Sequence, residues 1–420
     1  MTGSGVVDYD VVVVGAGPSG LLLAAELTRH GVSTALLERR LGRDGAGLRS
    51  HAGTRAVGVH GRTLAVMEPS GATERLLAGA ARITRGVARS GVRQLGEVRL
   101  DRTHTRFPFV ATAPQSATEA AVGFGGPEPM RGAEVRAVTE LAHGVVVAVR
   151  IGSVEVELHA RAAVIAAGAS GRELLRPWAR AHTRAYSDRY VMTDLYTGGG
   201  PGGEYPVDAA DAQPPDTAIL TLHPEGIVES FPLPGGRRLV AWQGGDWNPA
   251  PGLVSNAGEN AELLRRAVAE RAGEPELAER IGSATSFRIR RVLLSRMRRG
   301  RVLAIGDTAH EISPIGGQGM NLGLIDAATL SPVLARWVRG SGGEDASVID
   351  ELQLWETDRL AAARTAARIA ELNTRLGRGR PAAVHGAATA LVRAALATPL
   401  RGVAARAYTM GFDRSGSSVF

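Results

Sequence analysis

Apolar positions along the chain follow two periods, and glycines stand where the period changes. Residues 11–14 are four consecutive valines, too few to span a membrane and suited to a strand buried on both faces. Residues 21–27 follow at helical spacing, and residues 34–37 form a second apolar run, so a β-α-β unit is predicted. After a loop rich in glycine and arginine (41–58), apolar periodicity predicts a helix over 62–77. Residues 107–110 predict a strand returning to the sheet, trailed by Pro114, Gln115 and a short polar segment through Glu119. Val135 and the runs 145–149 and 154–158 alternate as a β-meander; residues 162–167 predict a buried strand that enters a second glycine turn, 168–171.

Between about Arg180 and Ser286 the runs become short and alternating. Residues 190–196, 218–222, 226–233 and 238–242 predict antiparallel strands, with Pro234, Gly235 and Gly236 as the hairpin turn between the last two. Helices are predicted over 259–271 and 275–281. Residues 290–294 and 301–305 then predict a return to a parallel-type sheet, followed by a helix from near Gln318 through Ala328. The expected fold class is α/β. A Rossmann-like nucleotide-binding domain with a mixed parallel sheet (1–180 and 287–340) is interrupted by an antiparallel-sheet module (181–286), and C-terminal helices occupy 341–420. The inserted module is expected to roof a small-molecule pocket, with Phe231 and Trp242 as candidate contacts.

The chemistry begins at Gly15-Ala16-Gly17-Pro18-Ser19-Gly20. Gly15 lets the chain turn, Gly17 lets the backbone approach a pyrophosphate, and Gly20 lets the helix pack on the strand, while the helix start offers free N–H groups. Glu38 lies about twenty residues on, where an acid would hold ribose hydroxyls, so the ligand is a dinucleotide, FAD or NAD(P). Arg39 follows that acid, and Arg49 and Arg55 flank the next loop as candidates to steady a pyrimidine ring or phosphate. Further along, a strand ends at Gly306 and Asp307, a loop contains Pro314 and Gly317, and a helix opens with Gln318, Gly319, Met320 and Asn321. Asp307 can accept hydrogen bonds from a polyol, and the helix start presents N–H groups to an electron-rich group. A reduced flavin, negative at N1 and O2, fits that field.

Composition narrows the rest. With 420 residues, 44% hydrophobic and 22% charged, the chain has room for two or three packed modules. It has no apolar run of ~18 residues and no basic-then-apolar leader, so neither a membrane span nor a signal peptide is expected, and a cytoplasmic location is. The absence of cysteine removes disulfides, thiolate nucleophiles, cysteine-linked flavin and cysteine metal sites, and no metal is expected. The net charge of +7 is carried by 49 arginines without a single lysine. They are scattered and aromatics are only 4%, which argues against a nucleic-acid surface. The densest basic stretch, 82–106, reads as a solvated hairpin, with a contact surface for an acidic partner or anionic substrate as the alternative. The oligomeric state is left open.

Taken in order, GAGPSG with Glu38, the turn at Gly168, and GDTAHEISPIGGQGMNLG over 306–323 resemble the single-component FAD-dependent aromatic hydroxylases related to para-hydroxybenzoate hydroxylase. TRAVGVHGRTLAVME around Arg55, PQSATE at Gln115, RGAEV ending at Val135, and a helix with Trp355, Glu356 and Arg359 support it. The resemblance implies that Gly15, Gly17, Gly20 and Glu38 hold the ADP part of FAD, Gln115 and Asp307 the ribityl and diphosphate region, and Val135 the adenine. Pro314 and residues 317–321 would lie against the isoalloxazine. The implied activity is a monooxygenase that takes NADPH or NADH and dioxygen and oxygenates an aromatic, quinone or polyketide-like small molecule. A reductase, dehydrogenase or halogenase-like enzyme on this scaffold, or a non-catalytic FAD-binding protein, is the alternative; the lack of any lysine weighs against the halogenase. No base is singled out among His182, Tyr190, Tyr196, Tyr205, Asp194 and His223, and His310 is expected to fix its loop. The thioredoxin-like C-terminal domain of some relatives is expected to be absent. Ser170 stands where the family carries an acid, so the handling of the nicotinamide nucleotide is expected to differ.

Overall fold

The computed structural model describes residues 8–41, 58–196, 213–244, 256–313, 316–340 and 345–413. Arg49, Arg55, Tyr205 and Pro314 lie outside the described residues. The strand Tyr9–Val14 sits at the centre of a mixed sheet, flanked in parallel by Thr34–Glu38 on one side and by Val154–Ile165 on the other. Val302–Ala304 extends the sheet in parallel beyond Val154–Ile165, and Met130–Arg131 beyond Thr34–Glu38. Val11, Val12 and Val13 are wholly buried, as an unbroken apolar run in a strand covered on both faces requires.

Val154–Ile165 changes partners half-way. Its exposed first half closes the meander with Val145–Ile151 and Ala133–Glu140, and its buried second half enters the central sheet. The helix Pro18–Arg29 packs against Gln318–Arg339, and the latter against the long helix Ala346–Gly377. Glycine sets how close the first pair comes, since a Cβ at Gly323 would overlap Ser19, and a Cβ at Gly20 would overlap the carbonyl oxygen of Gly15 in the turn before its own helix.

A second sheet runs in the order His310–Glu311, Thr285–Leu294, Ala181–Tyr196, Gly236–Gln243, Val228–Leu233, Thr217–Leu222, Arg85–Ser90, Arg93–Arg99. All its pairings are antiparallel except that of Thr217–Leu222 with Arg85–Ser90. Its outer face packs on the helices Ala257–Arg266 and Pro275–Glu279, and its inner face packs in part on Ala382–Ala397 through Val392 and Leu396.

Several expectations change. The strand expected at 107–110 is Val110–Thr112, and it pairs with Gly58–His60 and Ala81–Ile83 in a separate small sheet. Pro108 has no N–H to give a ladder, so pairing starts beyond it. The polar segment at Gln115 is a helix, Gln115–Gly123, with Pro114 at its N-cap. The helix expected over 62–77 breaks at Pro69 and Gly71, the latter at φ +73, into Gly61–Met67 and Ala72–Leu77. Thr285–Leu294 does not rejoin the parallel sheet; it pairs with Ala181–Tyr196, and its one-sided burial is that of an antiparallel strand. The basic stretch is the hairpin Arg85–Ser90/Arg93–Arg99, but it completes the antiparallel sheet from outside 181–286, and four of its arginines are paired with acids of this chain. Arg85 pairs with Glu97, Arg89 with Glu274, Arg99 with Asp101 and Arg106 with Glu68.

Gly20→Ala forces a methyl group into a backbone carbonyl that no side-chain rotation relieves. A loss of about 1–3 kcal/mol in urea unfolding is expected.

Candidate functional site

A cavity of about 700 Å³ lies between the parallel sheet, the start of Gln318–Arg339 and the strand Thr285–Leu294. The three glycine turns meet on its wall. Gly15, Gly17, Pro18 and Ser19 come from the first turn, Gly168 and Ser170 from the second, and Asp307, Gly317, Gly319 and Met320 from the third. Glu38, Arg39, Gln115 and Val135 line the same cavity. A Cβ added at Gly17 or Gly168 would meet no atom of the chain within 4 Å, so the backbone there faces space sized for another molecule. A dinucleotide's pyrophosphate fits a bare backbone beside the first turn of Pro18–Arg29.

Glu38 ends its strand with its carboxylate already oriented. One oxygen accepts from the Ala16 N–H at 2.9 Å, and the other from the Arg40 N–H and Nε, each at 2.9 Å. Burial would raise its pKa, but the hydrogen bonds from Arg40 and Ala16 outweigh that and hold it below the ordinary carboxylate range. An ionised acceptor is thereby kept at the cavity edge. Ala16 contributes this N–H rather than a wall, and Gly20 contributes close packing.

The side chains of Gln318 and Asn321 do not line the cavity. Gln318 turns to the Ala407 carbonyl, and Asn321 donates to the Gly58 and Gly317 carbonyls while accepting from the His60 N–H at 2.8 Å. Asn321 thus fixes Gly317, which caps the helix at φ +66, and the N-terminal end of a 22-residue helix points its positive field at the cavity. His60 beside it is buried, and burial lowers its pKa to about 4, so it is neutral. Ser170 spends its hydroxyl on the Ala167 carbonyl at 2.9 Å and adds no charge.

Behind Asp307 stands a buried ionic hub. Asp326 receives the Gly306 N–H at 2.9 Å, His310 Nε2 at 2.6 Å and Arg359 Nε at 2.6 Å. Arg359 also donates to Asp413 at 2.6 Å and to the Leu322 carbonyl. Burial acts to raise the Asp326 pKa; His310 and Arg359 outweigh it and hold the carboxyl at about 2. His310 therefore fixes its loop, as expected. Among the described residues no cluster of metal-ligating side chains occurs.

Sequence reasoning missed Arg172, which locks the second turn to the third by donating to the Asp307 carbonyl at 2.6 Å and to Glu311 at 2.5 Å. It also missed Arg40, Phe287, Arg288 and Arg290 on the cavity wall. Arg40 and Arg172 follow directly on their motifs; the other three come from a strand whose sheet was misassigned. Trp242 is not a cavity residue: its Nε1 donates to Asp188 at 2.8 Å, and Asp188 also holds Arg378.

The family model described as FAD binding domain matches residues 8–187 and 212–370. The chain belongs to the FAD binding domain family. An uncharacterised aromatic compound monooxygenase of Bacillus subtilis is 31% identical over 345 residues, covering 79% of this chain and 62% of that one. The chain spans 62%, 65% and 64% of the length of three curated relatives it matches. The structure of the anhydrotetracycline hydroxylase OxyS from Streptomyces rimosus superposes with a TM-score of 0.70 at 26% identity, covering 96% of this chain and 76% of that one. The p-nitrophenol 4-monooxygenase PnpA from Pseudomonas putida superposes with a TM-score of 0.76 at 19% identity, covering 96% and 97%, and shares the fold. FAD binding domain membership agrees with the Rossmann-like sheet, the bare glycine turns and the acid at the cavity edge.

Arg359→Ala leaves Asp326 and Asp413 buried without their cation. A loss of about 3–5 kcal/mol in denaturant unfolding is expected. The sign with pH follows from Asp326: its folded pKa lies below its ordinary 3.8, so its contribution is complete above that value and fades as pH falls toward about 2.

Proposed function

We propose that this chain is an FAD-dependent monooxygenase that uses NADPH or NADH and dioxygen to oxygenate an aromatic, quinone or polyketide-like small molecule. The observation that carries the reading is a single cavity shared by all three glycine motifs and by Phe287, Arg288 and Arg290 of the antiparallel sheet, which brings the sheet to the edge of a dinucleotide cradle. The names of relatives, an aromatic compound monooxygenase and an anhydrotetracycline hydroxylase, support the same class.

Bound there, FAD would supply reductive activation of dioxygen. The residues of the chain have supporting tasks. Gly15 and Gly17 give the pyrophosphate a bare backbone, Glu38 and Asp307 accept from ribose and ribityl hydroxyls, and Val135 covers the adenine. The N–H groups that open Gln318–Arg339 favour negative charge on the flavin pyrimidine, and the antiparallel sheet excludes water above it. Ser170 leaves the second turn without the carboxylate of the resembling enzymes, so the nicotinamide nucleotide meets one less negative charge as it approaches.

The chain supplied with FAD and NADPH or NADH should transfer one atom of isotopically labelled dioxygen to an accepted substrate, read by mass spectrometry. Label recovered only in water or peroxide would reverse the reading in favour of a reductase or oxidase. Glu38→Ala removes a charged acceptor worth ~1.5–3 kcal/mol, so FAD affinity should fall roughly tenfold or more in titration.

A further inference from the structure

The helix Ala382–Ala397 has no buried residue, and the side it turns away from the protein is apolar. Val384 and Leu391 stand there 53% and 68% exposed, with Ala387, Ala390 and Ala394 exposed beside them at helical spacing. The opposite side carries Val392 and Leu396, which pack on the antiparallel sheet, and His385, whose ring meets the Ser90 hydroxyl at 3.0 Å. A surface helix ordinarily puts its polar residues toward water, and this one puts none there along that side.

The next helix, Leu400–Tyr408, is mounted the same way. Leu396 packs where a Cβ on Gly96 would stand, and Ala404, Ala405 and Tyr408 cluster with Val98. Gly96 and Val98 are alternate residues of the strand Arg93–Arg99 and share one of its faces, so both helices lie on that face and turn their far sides outward together. On the far side of Leu400–Tyr408, Val403 is 64% exposed, with Arg401 and Arg406 exposed near it.

No acid occurs between Glu371 and Asp413, whereas six arginines do. Arg375 is engaged by Glu371, Arg378 by Asp188, and Arg380 by the Arg375 and Leu376 carbonyls. Arg393, Arg401 and Arg406 are exposed and form no ion pair among the described residues. An apolar face with unpaired cations around it and no anion complements an anionic bilayer, whose headgroup phosphates meet guanidinium groups while its acyl boundary meets Leu and Val. A second copy seated on this face would bring the same cations against one another. The face also exposes no aromatic side chain of the kind that anchors protein interfaces. We propose that the outward side of Ala382–Ala397 and Leu400–Tyr408 is a membrane-surface contact, which seats the protein on bilayers containing anionic phospholipid through Leu391, Val403, Arg393, Arg401 and Arg406. At 16 residues Ala382–Ala397 is shorter than the ~20 needed to span a bilayer, so the contact lies in the interface plane.

The test is co-sedimentation of the FAD-loaded full chain with vesicles of phosphatidylcholine, alone or mixed with phosphatidylglycerol. The chain should sediment with the mixed vesicles and far less with phosphatidylcholine alone, and added salt should weaken the binding. Arg393→Gln, Arg401→Gln and Arg406→Gln should each lower partitioning onto mixed vesicles about fivefold, the share of one arginine at an anionic surface. Leu391→Asp should lower it as well, and Leu391→Ala by a smaller factor. All four positions are exposed and none lines the cavity, so every variant should keep the FAD content and melting temperature of the unaltered chain, which separates lost docking from lost folding. Equal sedimentation with the two kinds of vesicle, or partitioning undiminished in the arginine variants or in Leu391→Asp, would overturn the proposal. So would a dimer in analytical ultracentrifugation that Leu391→Asp dissociates, because a second copy would then own this face. The measurement involves no turnover and is independent of the oxygen-transfer reading.

Discussion

The structure depends on a buried cation, Arg359, shared by Asp326 and Asp413. All three side chains are removed from water, so each charge is tolerable only because the others are present, and the geometry that satisfies one fixes the rest. Asp326 rides on Gln318–Arg339, Arg359 on Ala346–Gly377, and Asp413 follows Leu400–Tyr408. Through Asp326 the hub also grips the Gly306 N–H and His310, at both ends of the turn that carries Asp307. A position on the cavity wall is thus set by contacts made on the far side of its own turn.

The same economy governs the approach of helix to strand. Gly20 lets Pro18–Arg29 fold back onto its own turn at Gly15, and Gly306 and Gly323 let the Asp307 turn and Gln318–Arg339 close on one another around Ser19. Once they are that close, the N-terminal ends of two helices face one cavity, and their fields add where a dinucleotide would place its pyrophosphate and its flavin ring. Arg172 and the Thr308 hydroxyl then tie the second turn to the third.

The antiparallel sheet follows a different logic. Its outer face packs on the helices Ala257–Arg266 and Pro275–Glu279 and its inner face in part on Ala382–Ala397, while the inner face keeps Arg238 Nη1 and the Tyr190 hydroxyl buried without a partner among the described residues. Such groups weaken a free protein.

The sequence by itself determined whatever depends on neighbours along the chain. The valine run, the glycine spacings, Glu38 at the end of the second strand and Asp307 before the third loop were legible, because period, φ freedom and helix starts are local properties. Most of the expected cofactor residues stand on the cavity wall for that reason. Only the tertiary structure decided which sheet each strand joined. Thr285–Leu294 and the hairpin Arg85–Arg99 have patterns that fit either sheet, and the choice was made by partners far away in sequence. The roles of Gln318 and Asn321, whose side chains knit the loop instead of facing the cavity, and of Arg172, were beyond any periodicity. A polar side chain becomes an orphan, a lock or a hub only when the fold has removed water from around it and settled which partner, if any, is within reach.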